Sequence, residues 1–510
     1  MLHTKHKGTT EDNIKSTIKT AKIKAEVLFV IEKLHEKGFE AYLVGGSVRD
    51  LIIGREPKDW DVTTNATPEQ IIAAFDKTFY ENTFGTVGVV INKEDVDGVV
   101  GKAGEVIEVT PYRLESEYSD GRRPDSVSFS DKIEDDLKRR DFTINALAYD
   151  PIKDELIDLF DGIKDIQSKT IRTVGDGMTR FQEDGLRVLR AVRFSAELGF
   201  TINIETEKAL NDSREMLAKI AKERIRDEFV KILMSDNPMV SIYMCQKLGI
   251  LKYIIPELEE GLHTKQNQAH SYDVFEHLLR SLQCAADKKY PFEIRLSALL
   301  HDIGKPKSRR YSEEKKDYTF YGHEVIGAEM SKKILERLCF PRKTIDLVYK
   351  HVRWHMFFSD TEQITLSAVR RMIANVGREN IWNLMNLRIC DRVGTGRPKE
   401  NPYRLRKYTS MIEQVMMDPV SVSMLKINGK QIMDLLHVEP GPKIGLILNA
   451  ILEEVIEDPS KNTVEKLNEM AVSLYKMDTE ELIKKADAGK KAREAKEKEE
   501  IEKIQKKYHV

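Results

Sequence analysis

Apolar positions are spaced for a mixture of short helices and strands in the first third of the chain, and for helices alone afterwards. Val27, Leu28, Ile31 and Leu34 recur at helical spacing within Ala25 to Lys37, and Gly38 closes that helix. Ala41 to Val44 is a short apolar run that predicts a buried strand, ended by Gly45-Gly46; Val48 to Ile53 then opens a helix. Asp59 and Asp61 stand two residues apart, so on a strand both carboxylates share one face. Thr67-Pro68-Glu69-Gln70 reads as an N-cap followed by proline, starting a helix to about Phe75. Phe84 to Ile91 and Glu105 to Thr110 read as strands; in the second, Val106, Glu108 and Thr110 face one side and Glu105, Ile107 and Val109 the other. Helices mixed with a few strands predict a small α+β head.

Beyond residue 150 the period changes. Leu186, Leu189 and Val192 are core positions of a helix. Asp184, Arg187, Arg190 and Arg193 follow at i, i+3 steps, a slowly winding charged stripe whose plainest reading is a surface ion-pair ladder. Leu296 to Leu300 and Leu384 to Asp391 are further helical runs, and apolar periodicity continues through Leu446 to Ile456. From Lys484 onward the chain is mostly charged, which predicts a solvated helix or frayed end. Residues 1–23 form a polar leader, expected to be disordered.

At 510 residues the chain exceeds one typical core. The net charge of −2 gives no global basic excess, so any nucleic-acid contact rests on a local groove. Cys245, Cys284, Cys339 and Cys390 lie far apart with no Cys-x-x-Cys pair, which argues against a zinc ribbon or disulfide framework. No apolar run approaches a membrane span and no signal peptide is visible, so a cytoplasmic protein without membrane contact is expected.

Chemistry enters at Gly45-Gly46-Ser47-Val48-Arg49-Asp50 … Lys58-Asp59-Trp60-Asp61. A Gly-Gly turn brings backbone N–H groups close to an anion. Two hard oxygen ligands beside it suit Mg²⁺, which takes a few carboxylates plus substrate phosphates. The order strand, Gly-Gly-Ser, helix, Asp-x-Asp resembles the nucleotidyltransferase superfamily that includes DNA polymerase β. The fuller form, Gly-Gly-x-Val-Arg-Asp … Asp-x-Asp, is similar to its tRNA nucleotidyltransferase and bacterial poly(A) polymerase branch, specifically the class II CCA-adding enzymes.

That resemblance implies roles. Asp59 and Asp61 would hold two Mg²⁺ ions, with Glu108 as the third acid and Glu105 as its rival. Gly45, Gly46, Ser47 and Arg49 would border the nucleotide. Arg139-Arg140-Asp141-Phe142-Thr143-Ile144-Asn145-Ala146 resembles the motif that contacts triphosphate and ribose, through Arg139, Arg140, Asp141 and Asn145; the plain alternative pairs the two arginines with Glu134 to Asp136. Glu183-Asp184-x-x-Arg187 resembles the element that reads the incoming base without a nucleic-acid template. Asp184 accepts from an exocyclic amine and Arg187 donates to the ring, which would accept C and A and reject U and G. Arg190 and Arg193 would then serve phosphates or hold Asp184, and Ala221 to Glu228 would brace the neck. The polar stretch 113–125 matches a loop of enzymes that add the final A.

Further on, His277, His301-Asp302, His323, His351 and Asp391 occur in an order that resembles the ligand set of HD phosphohydrolases. Imidazoles with a bridging carboxylate suit a divalent transition metal such as Mn, Ni, Co, Fe or Zn. The expected organisation is a nucleotidyltransferase head at 24–150, a helical neck at 151–235, a helical body at 236–400 with the HD segment from about 262, a helical tRNA-binding tail at 401–477 and a charged C-terminus at 478–510. The expected function is addition of CCA to tRNA from CTP and ATP. The alternatives are a poly(A) polymerase, an A-adding or CC-adding enzyme, or an HD phosphodiesterase or phosphatase.

Overall fold

The structure, a computed structural model, describes Ile18 and residues 23–80, 85–91, 104–115, 127–268, 270–356, 364–396, 400, 402–416, 418–419 and 421–486. The loop expected at 113–125 and the charged C-terminus fall mostly outside the described residues. In the leader, Ile18 is helical and buried. Two compact units divide the chain, Met1–Ile254 and Ile255–Val510.

In the first unit, helix α1 (Ala25–Glu36) buries Val27, Val30, Ile31 and Leu34. Strand β1 (Ala41–Val44) runs into helix α2 (Gly46–Ile52) through Gly45. Strand β2 (Asp61–Thr64) is followed by α3 (Pro68–Ala74), whose Thr67 and Gln70 form a reciprocal capping box. Strands β3 (Thr78–Tyr80), β4 (Val87–Ile91) and β5 (Glu105–Pro111) precede helix α4 (Ile133–Lys138), then β6 (Leu147–Asp150) and β7 (Glu155–Asp158). The seven strands form one mixed sheet in the order β3-β4-β5-β2-β1-β6-β7. All its pairings are antiparallel except β2 with β5. Every residue of the interior strand β1 is buried, which explains its unbroken apolar run.

That single parallel pairing positions the carboxylates. It sets Asp61 opposite Glu108 and Val62 opposite Val109. Side chains at one register position share a face, so Asp61 and Glu108 project together while the valines enter the core. Asp59 departs from expectation: it lies in the bend before β2, since the strand begins only at Asp61.

The neck follows with α5 (Gly177–Glu183) and α6 (Leu186–Leu198). Leu186, Leu189 and Val192 are buried in α6, as their spacing predicts. Asp184 lies outside both helices in an extended conformation, so the charged stripe starts at Arg187. Helix α7 (Lys222–Met234) packs on α6, and α8 (Pro238–Lys247) packs on both; α8 therefore groups with the neck rather than with the body that follows.

In the second unit, α9 (Val274–Asp287), α10 (Phe292–Leu300), α11 (His323–Arg337), α12 (Arg342–Trp354) and α13 (Ile381–Gly394) make a helical body. Helix α9 packs against α10 and α13, and α12 against α10 and α11. Helices α14 (Gly429–Leu436), α15 (Pro442–Glu457), α16 (Val464–Tyr475) and α17 (Thr479–Ala486) share a separate core around Ile432, Ile447, Ile451, Leu467 and Leu482. No helix among the described residues is long and apolar enough to cross a membrane.

Candidate active and metal sites

Asp59, Asp61 and Glu108 border one shallow depression of about 120 Å³, shared with Lys24, Lys58 and Glu105. Glu108 and Asp59 are exposed and Asp61 is half-buried. Glu105, on the other face of β5, is ion-paired with Lys24 at the start of α1. That pairing gives Glu105 a structural partner and leaves Glu108 beside Asp61. The donor set is all oxygen, which fits Mg²⁺ shared with substrate phosphates rather than a closed protein cage. Accordingly, these acids are not among the described groups of three or more side chains whose ligand atoms all lie within 4.8 Å of one another.

Gly45 needs to be glycine for two reasons. Its φ is +78°, and a Cβ there would lie 2.9 Å from Arg140 Nη1. The Arg140 guanidinium thus rests against the turn. Both Arg139 and Arg140 bind the buried carboxylate of Asp136, at 2.6 and 2.9 Å. Burial opposes the charge on Asp136, but Arg139 and Arg140 outweigh it and hold its carboxyl below the ordinary range. The pairing with the acids of 134–136 is present, with Asp136 as the partner. Asp136 lies three and four residues before the arginines, which follow directly on the end of α4, so that contact was legible from spacing.

From the turn, a chain of polar contacts leads into the neck. Ser47 Oγ donates to Val44 O at 3.1 Å, closing the turn locally. Arg49 Nη1 donates to Asn145 Oδ1 at 2.7 Å, and Asn145 Nδ2 donates to Asp141 Oδ1 at 3.2 Å. Arg190 on α6 grips the other Asp141 oxygen at 2.6 Å. Glu228 on α7 lies 3.7 Å from Arg190 and 2.7 Å from Arg193, and Arg193 also binds Glu197 at 2.9 Å. The guanidinium groups of Arg49, Arg190 and Arg193 surround the Phe194 ring, at 5.3, 5.3 and 4.0 Å from its centroid. Asp141, Asn145, Arg190 and Arg193 are thus joined in one internal network. Arg193 braces α6 on α7, and Arg190 holds Asp141, instead of either binding Asp184.

Burial opposes the charge on Asp141, yet Arg190 and Arg187 hold its pKa down at about 2, against 3.8 for the free side chain. A depressed carboxylate contributes stability that is complete above its unfolded pKa and lost as pH falls through the folded one. Thermal unfolding of the parent should therefore lose on the order of 2 kcal/mol between about pH 4 and pH 2. Asp141→Asn should flatten that part of the profile; an unchanged slope would remove Asp141 from the acid transition.

Asp184 and Arg187, expected to act as a pair, are not bound to each other through their side chains. Arg187 donates to Glu183 Oε2 at 2.5 Å and to the carbonyls of Arg180 and Arg139, at 3.0 and 3.1 Å. Arg224 on α7 grips Asp184 instead, with contacts of 3.1 and 2.7 Å. Asp184 and Arg224 are forty residues apart, with the helices Leu186–Leu198 and Ile204–Ser213 between them, so no periodicity joins them.

Among the described residues, the groups of metal-type ligands lie in the second unit. His277, His301, Asp302 and Asp391 form one group, and Asp302, His323 and His355 another, joined through Asp302. Asp302 Oδ2 lies 3.0 Å from His277 Nε2 and 3.4 Å from His301 Nε2. Its Oδ1 lies 3.1 Å from His323 Nε2 and 3.4 Å from His355 Nε2, but accepts no hydrogen bond. Asp391 Oδ1 lies 3.4 and 3.5 Å from His277 and His301. Three of the imidazoles donate from Nδ1 to a carbonyl, at Ala298, Phe320 and Val352. That fixes the tautomer and turns each Nε2 lone pair toward the cluster, the arrangement a metal ligand needs. An orphaned buried carboxylate oxygen facing two such nitrogens fits a divalent cation, which Asp302, common to both groups, would help to hold.

His351, expected as a ligand, is in neither group. It is buried one turn earlier on α12, where its Nδ1 contacts Ser297 Oγ at 2.9 Å. His355 takes the place expected of it. The two histidines are four residues apart and share a helix face, so spacing alone cannot choose between them. Gly304 allows the Asp302 turn to meet α11, since a Cβ there would lie 2.3 Å from His323 O. Lys305 Nζ lies 2.6 Å from Asp302 Oδ2 and donates to Gln266 Oε1 at 2.6 Å. The cluster opens into a cavity of about 930 Å³ lined by Lys305, Lys315, Arg388, Arg392, Tyr321 and Phe320, among others.

Residues 41–172 match the poly A polymerase head domain, 199–262 the probable RNA and SrmB-binding site of polymerase A, and 269–392 the HD domain. The CCA-adding enzyme of Leuconostoc mesenteroides is 42% identical over 269 residues, which is 52% of this chain but less than two thirds, 64%, of that relative. The CCA-adding enzyme of Lactococcus lactis is 32% identical over 434 residues, covering 85% of this chain and 93% of the relative. A crystal structure of the Bacillus stearothermophilus CCA-adding enzyme in complex with CTP superposes with a TM-score of 0.63 at 27% identity, over 88% of this chain and 96% of that one. The mixed-sheet head, the neck and the near full-length match to the Lactococcus protein together show that this chain belongs to the CCA-adding enzymes.

Proposed function

We propose that the chain adds CCA to the 3′ end of tRNA from CTP and ATP, without a nucleic-acid template, in the bacterial cytoplasm. The observation that carries the reading is the parallel pairing of β2 with β5, which sets Glu108 beside Asp61 at the mouth of a depression that Asp59 also borders. Asp59 and Asp61 would hold Mg²⁺, with Glu108 as the third acid; when bound, the ion neutralises phosphate charge and lowers the pKa of the attacking hydroxyl. The Gly45-Gly46-Ser47 turn offers backbone N–H groups to phosphate, beside the guanidinium of Arg140. Arg139 and Arg140 suit a triphosphate because a guanidinium donates two parallel hydrogen bonds. In the neck, Asp184 accepts from the exocyclic amine shared by cytosine and adenine, and Arg187 donates to the ring nitrogen or carbonyl. The head at 24–150 performs the transfer, the neck at 151–235 selects the nucleotide, and the tail at 401–477 contacts tRNA.

The test is incubation of the purified protein with tRNA lacking CCA and each labelled triphosphate in turn. Incorporation of C and then A, in a product three nucleotides longer, is expected. A long homopolymer of A would favour poly(A) synthesis instead, and addition of A or C alone an A-adding or CC-adding enzyme.

The Asp302-centred cluster supports a second reading, a metal-dependent phosphohydrolase in the second unit. His277, His301, Asp302, Asp391, His323 and His355 would hold a transition-metal pair, which when bound activates water against a phosphoester. Lys305 and Arg388 line the same cavity and would orient the substrate phosphate.

A further inference from the structure

Arg224 lies in the first turn of α7, outside every segment singled out for nucleotide contact. Its guanidinium meets Asp184 as a fork, Nη1 donating to Oδ1 at 3.1 Å and Nη2 to Oδ2 at 2.7 Å. The same Oδ1 also accepts from Leu186 N at 3.1 Å. A carboxylate has about four lone-pair directions. Oδ1 is therefore saturated, and Oδ2 retains one direction for a further donor. Both side chains are partly open to solvent, at 27% for Arg224 and 15% for Asp184. Asp184 itself sits in extended backbone between two helices, where a free carboxylate could turn about its side-chain torsions.

We propose that Arg224 is a positioning residue for nucleotide choice, pinning Asp184 so that only its Oδ2 presents a single acceptor to the base. The inference rests on Asp184 being the base-reading acid. A base edge with an exocyclic amine supplies the missing donor. An edge with a carbonyl at that position sets oxygen against oxygen and leaves the last acceptor direction of Oδ2 without a donor. The planar, bidentate grip matters more than the charge, because it fixes the plane of the carboxylate. Without it Asp184 rotates, and water or a wrong edge can be accommodated.

The experiment measures kcat and KM separately for CTP and UTP on tRNA lacking CCA, using the full chain as parent, Arg224→Gln, Arg224→Lys and Asp184→Ala, each checked by thermal unfolding. Arg224→Gln should lower the CTP-to-UTP ratio of kcat/KM about tenfold or more, chiefly through a higher KM for CTP. Arg224→Lys keeps the charge and loses the fork, and should also lower the ratio, by less. Should the glutamine variant not fold, the lysine variant decides. Equal losses for both nucleotides, with the ratio unchanged, would overturn the proposal and make Arg224 a brace. If Asp184→Ala collapses the ratio and neither Arg224 variant moves it, the proposal for Arg224 alone fails. If Asp184→Ala leaves the ratio intact, base reading by Asp184 fails, and the proposal with it.

Discussion

Asp61→Ala should reduce nucleotide incorporation by about a thousandfold or more while leaving the unfolding temperature close to that of the parent. The two outcomes separate because of where Asp61 sits. It is the first residue of β2 and half-buried at the mouth of the depression, whereas Val62, Thr63 and Thr64 carry the strand into the core. Removing its carboxylate takes away a hard oxygen from the one place where Asp59 and Glu108 also converge. A nearby acid cannot substitute, since Glu105 is committed to Lys24. Incorporation of labelled CTP into tRNA lacking CCA, measured in single turnover, is the readout. Activity within tenfold of the parent would remove Asp61 from the catalytic set. Glu108→Gln should reduce the rate less, as the third acid.

Asp302→Ala should abolish both metal retention and any phosphohydrolase activity of the second unit, and leave CCA addition intact. Asp302 is the only residue common to the two ligand groups, so its loss dismantles both at once. It also leaves Lys305 without its carboxylate partner, so a loss of stability of a few kcal/mol is expected. Asp302→Asn keeps the shape and should show the same loss of metal with a smaller change in unfolding temperature. Metal content after dialysis and phosphate release with Mn²⁺, Ni²⁺ or Co²⁺ are measured in parallel. Parent protein that retains no divalent ion, or a variant that keeps it, would contradict the cluster as a metal site. Phosphate release that disappears with Asp61→Ala instead would place the hydrolysis in the head. His355→Ala should lower metal retention and His351→Ala should not.

Much of the head was readable from local pattern because its signals are local. Gly45 is set by a positive φ and by Arg140 pressing on the turn, and the Thr67 to Gln70 box is closed within four residues. The apolar run at Ala41–Val44 marked a strand buried on both faces. The acids, the arginines and the histidines were all visible as residue types in telling order.

Which of them meet was a different matter. Register across β2 and β5 decided that Glu108, and not Glu105, stands beside Asp61, because parallel pairing spans more than forty residues of chain that no periodicity encodes. The packing of α7 on α6 decided that Asp184 is held by Arg224 while Arg187 turns to Glu183. At the end of α12, helix packing decided for His355 over His351, two residues one turn apart and equivalent by spacing. Sequence by itself determined the elements, the family and the chemical inventory, since these rest on propensity and on contacts within a turn or two. Tertiary structure decided the partners of each charged group, since a charged side chain in a partly buried site takes whichever opposite charge the packing of distant elements brings within about 3 Å.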